Sequence, residues 1–64
     1  MSKKDLRVGM KVRNTVTEKI GEVEADPQKP NELMNTAPDY VAVVIGCGKD
    51  SQYSCWYLPN VLPI

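Results

Sequence analysis

The chain has 64 residues, and its 8 lysine and arginine residues balance 8 aspartate and glutamate residues. Histidine is absent, 42% of the residues are hydrophobic and 25% are charged, which is an ordinary globular composition. A chain of this size buries only about 60% of its unfolded surface. We therefore expect one domain over residues 1–64 with a thin core, and we exclude a two-domain enzyme and any mechanism that needs histidine.

The first predicted element is a strand over residues 7–13. Apolar and basic side chains alternate there with a period of two, which is typical of a strand with one buried face. A short polar turn is expected over residues 14–19, and a second strand opens at Ile20. Its apolar positions change parity between Ile20 and Val23. We therefore expect a β-bulge or sharp bend at Gly21 that keeps both of these side chains inside.

The longest predicted irregular stretch covers residues 26–39. Its three prolines cannot occupy a central strand, although one helical turn over residues 31–35 fits the sequence. A loop of this length in a small domain is usually functional or loosely ordered. Leu33 and Met34 within it either cap the end of a barrel or form a partner-binding tip.

The strongest strand signal is the continuous, largely β-branched run from Tyr40 to Ile45. A glycine-containing turn follows, and residues 52–58 return as the next strand. A last short strand is expected at residues 61–64, where Pro63 restricts it to an edge. Five short strands without an amphipathic helix predict an all-β fold, and specifically a small closed barrel that leaves no sheet edge exposed.

Three stretches, at residues 8–13, 20–23 and 56–62, together resemble the SH3-like barrel superfold. The resemblance implies a five-stranded SH3-like barrel with one long loop at 26–39. The segment Leu58-Pro59-Asn60-Val61 is similar to the one-turn helix before the last strand of SH3 domains. The Ala-Leu-Tyr-Asp-Tyr segment of their aromatic groove is missing, so the resemblance does not extend to binding of proline-rich peptides.

The order of elements also resembles the plasmid-borne type II dihydrofolate reductases, which are short SH3-like barrels that work as tetramers around one pore. Their pore motif, Val-Gln-Ile-Tyr, corresponds to about residues 53–56 of this chain. Ser54 replaces its glutamine and Trp56 replaces its tyrosine. What this resemblance implies is the capacity to oligomerise, and the reductase activity does not carry over.

Aromatic side chains of the predicted hairpin form the main candidate site. By alternation, Trp56 and Leu58 share one strand face and Tyr53 and Tyr57 share the other, so both faces are apolar. One face fills the barrel, and the other is expected to pack on a partner or to remain a wet aromatic surface. The candidate interface residues are Tyr40, Tyr53, Trp56, Tyr57, Leu33 and Met34.

Basic residues cluster near the amino end, at Lys3, Lys4, Arg7, Lys11 and Arg13. One interpretation is a phosphate-binding patch for nucleic acid. The other is a solvated tail followed by an outer strand face, on which the basic residues oppose Glu22 and Glu24 of the neighbouring strand.

The two cysteines, Cys47 and Cys55, form no CxxC motif, and without histidine the chain cannot supply a closed zinc site. We expect both to be small buried or half-buried apolar residues, with a disulfide across the hairpin as the alternative. No apolar run suggests a signal peptide or approaches the roughly 20 residues of a membrane helix, so a cytoplasmic setting without membrane contact is expected.

Function follows from these patterns only in outline. No nucleophile, base and acid can be assembled, so we expect no enzyme and no cofactor or metal. The leading hypothesis is a small binding module that self-associates through the hairpin at residues 40–58 into a homo-oligomer, with a protein or small-molecule ligand that the sequence does not identify. The alternatives are a nucleic-acid-binding barrel and a folate-reductase-like small-molecule pore.

Overall fold

The structure is a computed structural model that describes residues 2–46 and 48–64. Its strands are β1 (Lys11–Asn14), β2 (Ile20–Val23), β3 (Ala25–Asp26), β4 (Lys29–Leu33), β5 (Tyr40–Ile45), β6 (Gln52–Tyr57) and β7 (Val61–Pro63). Single 3₁₀ turns lie at Lys3–Asp5, Gly48–Asp50 and Leu58–Asn60. The prediction of an all-β fold is confirmed.

The main sheet has five antiparallel strands in the order β6-β5-β2-β1-β7, and β3 pairs with β4 in a second, two-stranded sheet. The main sheet curls strongly. This is evident because Trp56 from one edge strand and Val61 from the other belong to the same buried cluster. It does not close, since β6 and β7 do not pair. The predicted closed barrel is therefore wrong. β7 spans three residues, pairs with β1 and ends at Pro63, which has no N–H to donate to a further strand.

The core fills the inside of this curl. Valines dominate it, and the least exposed large side chains are those of Val12, Val41, Val43 and Val61. Trp56 and two leucines supply the remaining volume, and Met10, Leu33 and Ile45 pack around the cluster from its rim. The chain contains no phenylalanine, so the single tryptophan is the largest side chain available to this interior.

Gly21 lies inside the curl without a bulge. The β1–β2 register runs continuously, with Val12 opposite Gly21 and Arg13 opposite Ile20. Ile20 is therefore exposed, and the predicted bulge is wrong. A Cβ atom at Gly21 would lie 3.1 Å from both Trp56 Cη2 and Val43 Cβ. The indole ring occupies the space that an inward side chain from residue 21 would fill.

The first strand starts later than the alternation predicts. Residues 7–10 form a turn instead, in which the Met10 N–H donates to the Arg7 carbonyl at 3.1 Å. Gly9 has φ of +82°, a conformation that glycine adopts without strain. Val8 is consequently exposed, while Met10 is half-buried at the rim of the core.

The predicted loop at residues 26–39 contains a hairpin. Its turn is fixed by the Asp26 side chain, whose Oδ1 accepts a hydrogen bond from the Gln28 N–H at 2.8 Å. β4 then runs through Pro30, which is tolerated because β4 has a strand partner on one side only. The helical turn expected over residues 31–35 is wrong, since β4 continues to Leu33.

Candidate interaction surface

The β5–β6 hairpin positions the aromatic residues. Its register is unbroken, from Tyr40 opposite Tyr57 to Ile45 opposite Gln52. Successive strand residues point to opposite faces, so Val41, Val43 and Trp56 face the core. The other face, which we call the outer face, carries the β5 residues Tyr40, Ala42 and Val44 and the β6 residues Tyr53, Cys55 and Tyr57.

Three tyrosines make the outer face aromatic. Tyr53 is 72% exposed, Tyr57 45% and Tyr40 41%. The rings of Tyr40 and Tyr57 are in contact, with centroids 5.5 Å apart and planes inclined at 50°. Tilted pairs of this kind are favourable by about 0.5–1.5 kcal/mol beyond the area they bury. Tyr40 and Tyr57 lie opposite each other on β5 and β6, so their rings pack across the two strands. Tyr53 lies at the other end of β6, away from this pair.

An apolar groove of about 430 Å³ lies beside this surface. Its floor comes from the outer face, through Ala42, Tyr53 and Cys55, and its wall comes from Pro27 and Met34 beside the β3–β4 hairpin. Ser54 and a single carboxylate, that of Glu24, complete the lining. The wall is fixed to the sheet because the Met34 N–H donates to the Glu24 carbonyl and the Glu24 N–H to that of Ala42.

The predicted interface residues divide into two groups. Tyr40, Tyr53 and Tyr57 lie on the outer face, and Met34 lines the groove beside it. Trp56 is buried in the core, so its assignment to an interface is wrong, and the reason is that its even parity turns it inward. Leu33 packs half-buried against the core and caps it, rather than forming an exposed tip.

Other surface residues were missed by sequence reasoning. The outer face includes Ala42 and Val44, which the alternation of the run from Tyr40 to Ile45 would have indicated. Pro27 and Glu24 reach the groove only because the β3–β4 hairpin folds beside the sheet. No local signal in the sequence reports that long-range placement.

The predicted basic residues are distributed over different elements. The Lys3 ammonium donates to Thr36 Oγ1 at 2.7 Å and to the carbonyls of Thr36 and Ala37 at 3.1 and 2.8 Å. Lys11 and Arg13 lie on the exposed side of β1, where Lys11 is opposite Glu22 as predicted. Lys4 and Arg7 are exposed between these two places.

Cys55 is an exposed free thiol on the outer face, so the prediction of a buried or half-buried residue is wrong for it. It shares the parity of Tyr53 and Tyr57, and this parity decides its exposure. Cys47 lies outside the described residues, as does its part in the predicted disulfide. Within residues 2–46 and 48–64, no group of three or more metal-ligating side chains is found.

Two further observations bear on the functional class. Comparison of the chain with protein-family models, curated protein sequences and solved structures finds no match. Among the helical turns that the structure describes, none is long and apolar enough to cross a membrane.

Proposed function

We propose that the chain is a small SH3-like binding module that associates with itself through the outer face of the β5–β6 hairpin. Support for the SH3-like part comes from the strand order β6-β5-β2-β1-β7 and from the 3₁₀ turn Leu58–Asn60, which joins β6 to β7. The sheet is open, so the likeness concerns strand order and curl rather than closure.

The observation that carries the proposal is the uncharged character of the outer face. None of its six β5 and β6 residues is charged, and three of them are exposed tyrosines. Tyrosine is enriched and charge is depleted in the centres of protein interfaces. Contiguous apolar patches beside a groove mark interaction sites on small soluble proteins.

The nucleic-acid alternative gains no support from the geometry. Lys3 is bound to the main chain of residues 36 and 37, and Glu22 lies opposite Lys11. A phosphate contact would have to displace or outweigh these partners. A cytoplasmic setting belongs to our proposal, because an exposed thiol such as Cys55 persists in a reducing compartment.

The test is the oligomeric state of the Tyr53→Ser variant, measured by sedimentation velocity over a range of concentrations. We expect the wild type to form oligomers as its concentration rises, and Tyr53→Ser to remain monomeric at concentrations where the wild type associates. Val16→Ser is the matched control, because Val16 is 70% exposed but lies in the β1–β2 turn, away from the outer face. A wild type that is monomeric throughout would overturn the proposal.

A further inference from the structure

The strand β6 is an edge with free main-chain groups. The Leu58 N–H donates to the Asp39 carbonyl at 2.7 Å, one step beyond the pair Tyr57 and Tyr40. Hydrogen-bonded pairs alternate along an antiparallel ladder. The N–H and C=O groups of Tyr53, Cys55 and Tyr57 therefore point away from β5. Among the described residues, no turn or loop hydrogen bond reaches them.

This edge lacks the protection that other edges of the molecule have. Proteins shield exposed strands with proline, charge, bulges or short length. β7 is three residues long and contains Pro63. The β3–β4 sheet has an irregular register, Pro30 in β4 and charged residues beside it. β6 has six residues, an unbroken register with β5 and neither proline nor charge.

The three residues of β6 whose main-chain groups point away from β5 form a series that is the same in both chain directions. Tyr53, Cys55 and Tyr57 are symmetric about Cys55. A two-fold interface requires a self-complementary surface, because each residue meets its counterpart by symmetry. Antiparallel pairing of two β6 strands about Cys55 places Tyr53 opposite Tyr57 of the second copy, so that all three residues use both outward main-chain groups. Pairing about Ser54 instead leaves Tyr57 of each copy outside the ladder.

Charge favours the same arrangement. Antiparallel pairing about Cys55 places the charged 3₁₀ turns Gly48–Asp50 of the two copies at opposite ends of the paired β6 strands. Parallel pairing would place the two Gly48–Asp50 turns at the same end, so that the charges of Lys49 and Asp50 would lie near their like-charged counterparts, which is unfavourable. The occupant that fits this edge is therefore a second copy in antiparallel orientation.

We propose that two copies of this chain form a continuous ten-stranded sheet by antiparallel pairing of their β6 strands about Cys55. The inference rests on the proposed self-association and narrows its contact from the whole outer face to the β6 edge, where the outer-face residues Tyr53, Cys55 and Tyr57 meet their counterparts. The interface is small: aromatic residues carry about 150–250 Å² each, so the exposed parts of Tyr53 and Tyr57 offer roughly 230 Å² per copy. With the strand backbone added, it belongs to the weak and reversible class.

The geometry is tested with Cys55 as the only thiol, in the Cys47→Ser variant. Residues in a hydrogen-bonded pair have Cα atoms about 5.5 Å apart, which is within the range that a disulfide spans. Diamide accepts two protons and two electrons from the two Cys55 thiols as the S–S bond forms. We expect rapid covalent dimer formation, at least about tenfold faster than in Cys47→Ser/Cys55→Ser/Val16→Cys, whose thiol replaces the exposed Val16 and meets its counterpart by collision.

Amide exchange of the wild type under reducing conditions is the second readout. We expect the N–H groups of Tyr53, Cys55 and Tyr57 to become at least about tenfold more protected as concentration rises through the dimer range. Those of Ser54 and Trp56, which already bond to β5, should gain less. A dimer in sedimentation that shows neither this pattern nor fast cross-linking would overturn β6 pairing and leave self-association standing. Monomers at every concentration would overturn both.

Discussion

Gly21 leaves no room for a larger side chain inside the curl of the sheet. Glycine in a strand interior ordinarily weakens the strand, because it costs more conformational entropy than alanine by roughly 0.5–1 kcal/mol. Here an added Cβ would lie 3.1 Å from Val43 Cβ, an atom fixed to the backbone of the neighbouring strand. Crowding against a rigid neighbour in a core costs about 1–3 kcal/mol, which exceeds the entropic gain.

We therefore expect Gly21→Ala to lower the free energy of unfolding by about 1 kcal/mol, measured by urea denaturation. The double variant Gly21→Ala/Val43→Ala tests for crowding, because it removes Val43 Cγ2, which would lie 3.2 Å from the added Cβ, while Val43 Cβ remains. Its loss should be smaller than the sum of the two single losses. Strict additivity, or a stabilised Gly21→Ala, would contradict this account.

Strand parity explains which residues sequence reasoning placed correctly. Alternation along β6 correctly separated Trp56, which is buried, from Tyr53 and Tyr57, which are exposed. The predictions were wrong where the apolar character of a residue was given more weight than its position in the alternation. Ile20 was turned inward and Cys55 was treated as buried because both are apolar, yet both follow the parity of their strand. One sequence alone does not show how the strands pair, so it cannot reveal where residue character and strand parity disagree.

At the level of elements, Lys3 joins the amino-terminal 3₁₀ turn to the segment before β5. Its ammonium bonds to Thr36 and Ala37, and Thr36 Oγ1 in turn donates to the Tyr40 carbonyl at 2.7 Å. Hydrogen bonds to a charged group contribute about 1.5–3 kcal/mol when well buried, and less at a partly exposed site. The contact therefore positions the start of β5, and with it Tyr40 on the outer face.

We expect Lys3→Met to lower the free energy of unfolding by about 1 kcal/mol, while keeping the length of the side chain. Lys4→Met is the matched control, because this substitution removes the same charge at an exposed position in the same 3₁₀ turn. Its unfolding free energy should stay within about 0.5 kcal/mol of the wild type. Equal losses in the two variants, compared by urea denaturation, would show that Lys3 acts through charge alone.

The elements themselves were predictable to different degrees. β5 and β6 are long, rich in β-branched and aromatic residues, and bounded by turns, so their existence follows from local pattern. The β3–β4 hairpin does not, because prolines and polar residues argue against strands. What forms it is the Asp26 turn together with the main-chain bond from Met34 to Glu24. The groove wall could not be predicted for the same reason.

At the scale of the whole molecule, the sequence predicts a closed barrel and the structure shows a curled sheet with two edges. Closure depends on pairing between β6 and β7, which lie side by side in sequence but at opposite edges of the sheet. Local patterns carry no information about that pairing. Because the sheet stays open, β6 keeps an exposed strand edge that a closed barrel would have paired.

The small size of the chain makes this edge important for stability. Of the residues that the structure describes, nine hydrophobic ones are buried, four of them as fully buried valines, and the radius of gyration is 10.7 Å. Domains of this size have thin cores and are often stabilised by an additional bond, metal or partner. A second copy that binds only the folded state stabilises it by mass action.

Thermal stability should therefore depend on protein concentration. We expect roughly 1–2 kcal/mol of stabilisation per chain when the protein concentration rises from far below the dimer dissociation constant to a hundredfold above it. The gain is limited to this size because dimer formation depletes the free monomer that acts as ligand. For a domain of this size, that corresponds to a rise in Tm of roughly 7–15 °C in calorimetry. Tyr53→Lys, which places a charge on the β6 edge, should make Tm independent of concentration, whereas Val16→Lys should leave the dependence intact. A wild-type Tm that does not change over this range would mean that the core within one chain is sufficient, and that the exposed β6 edge contributes nothing to the stability of the fold.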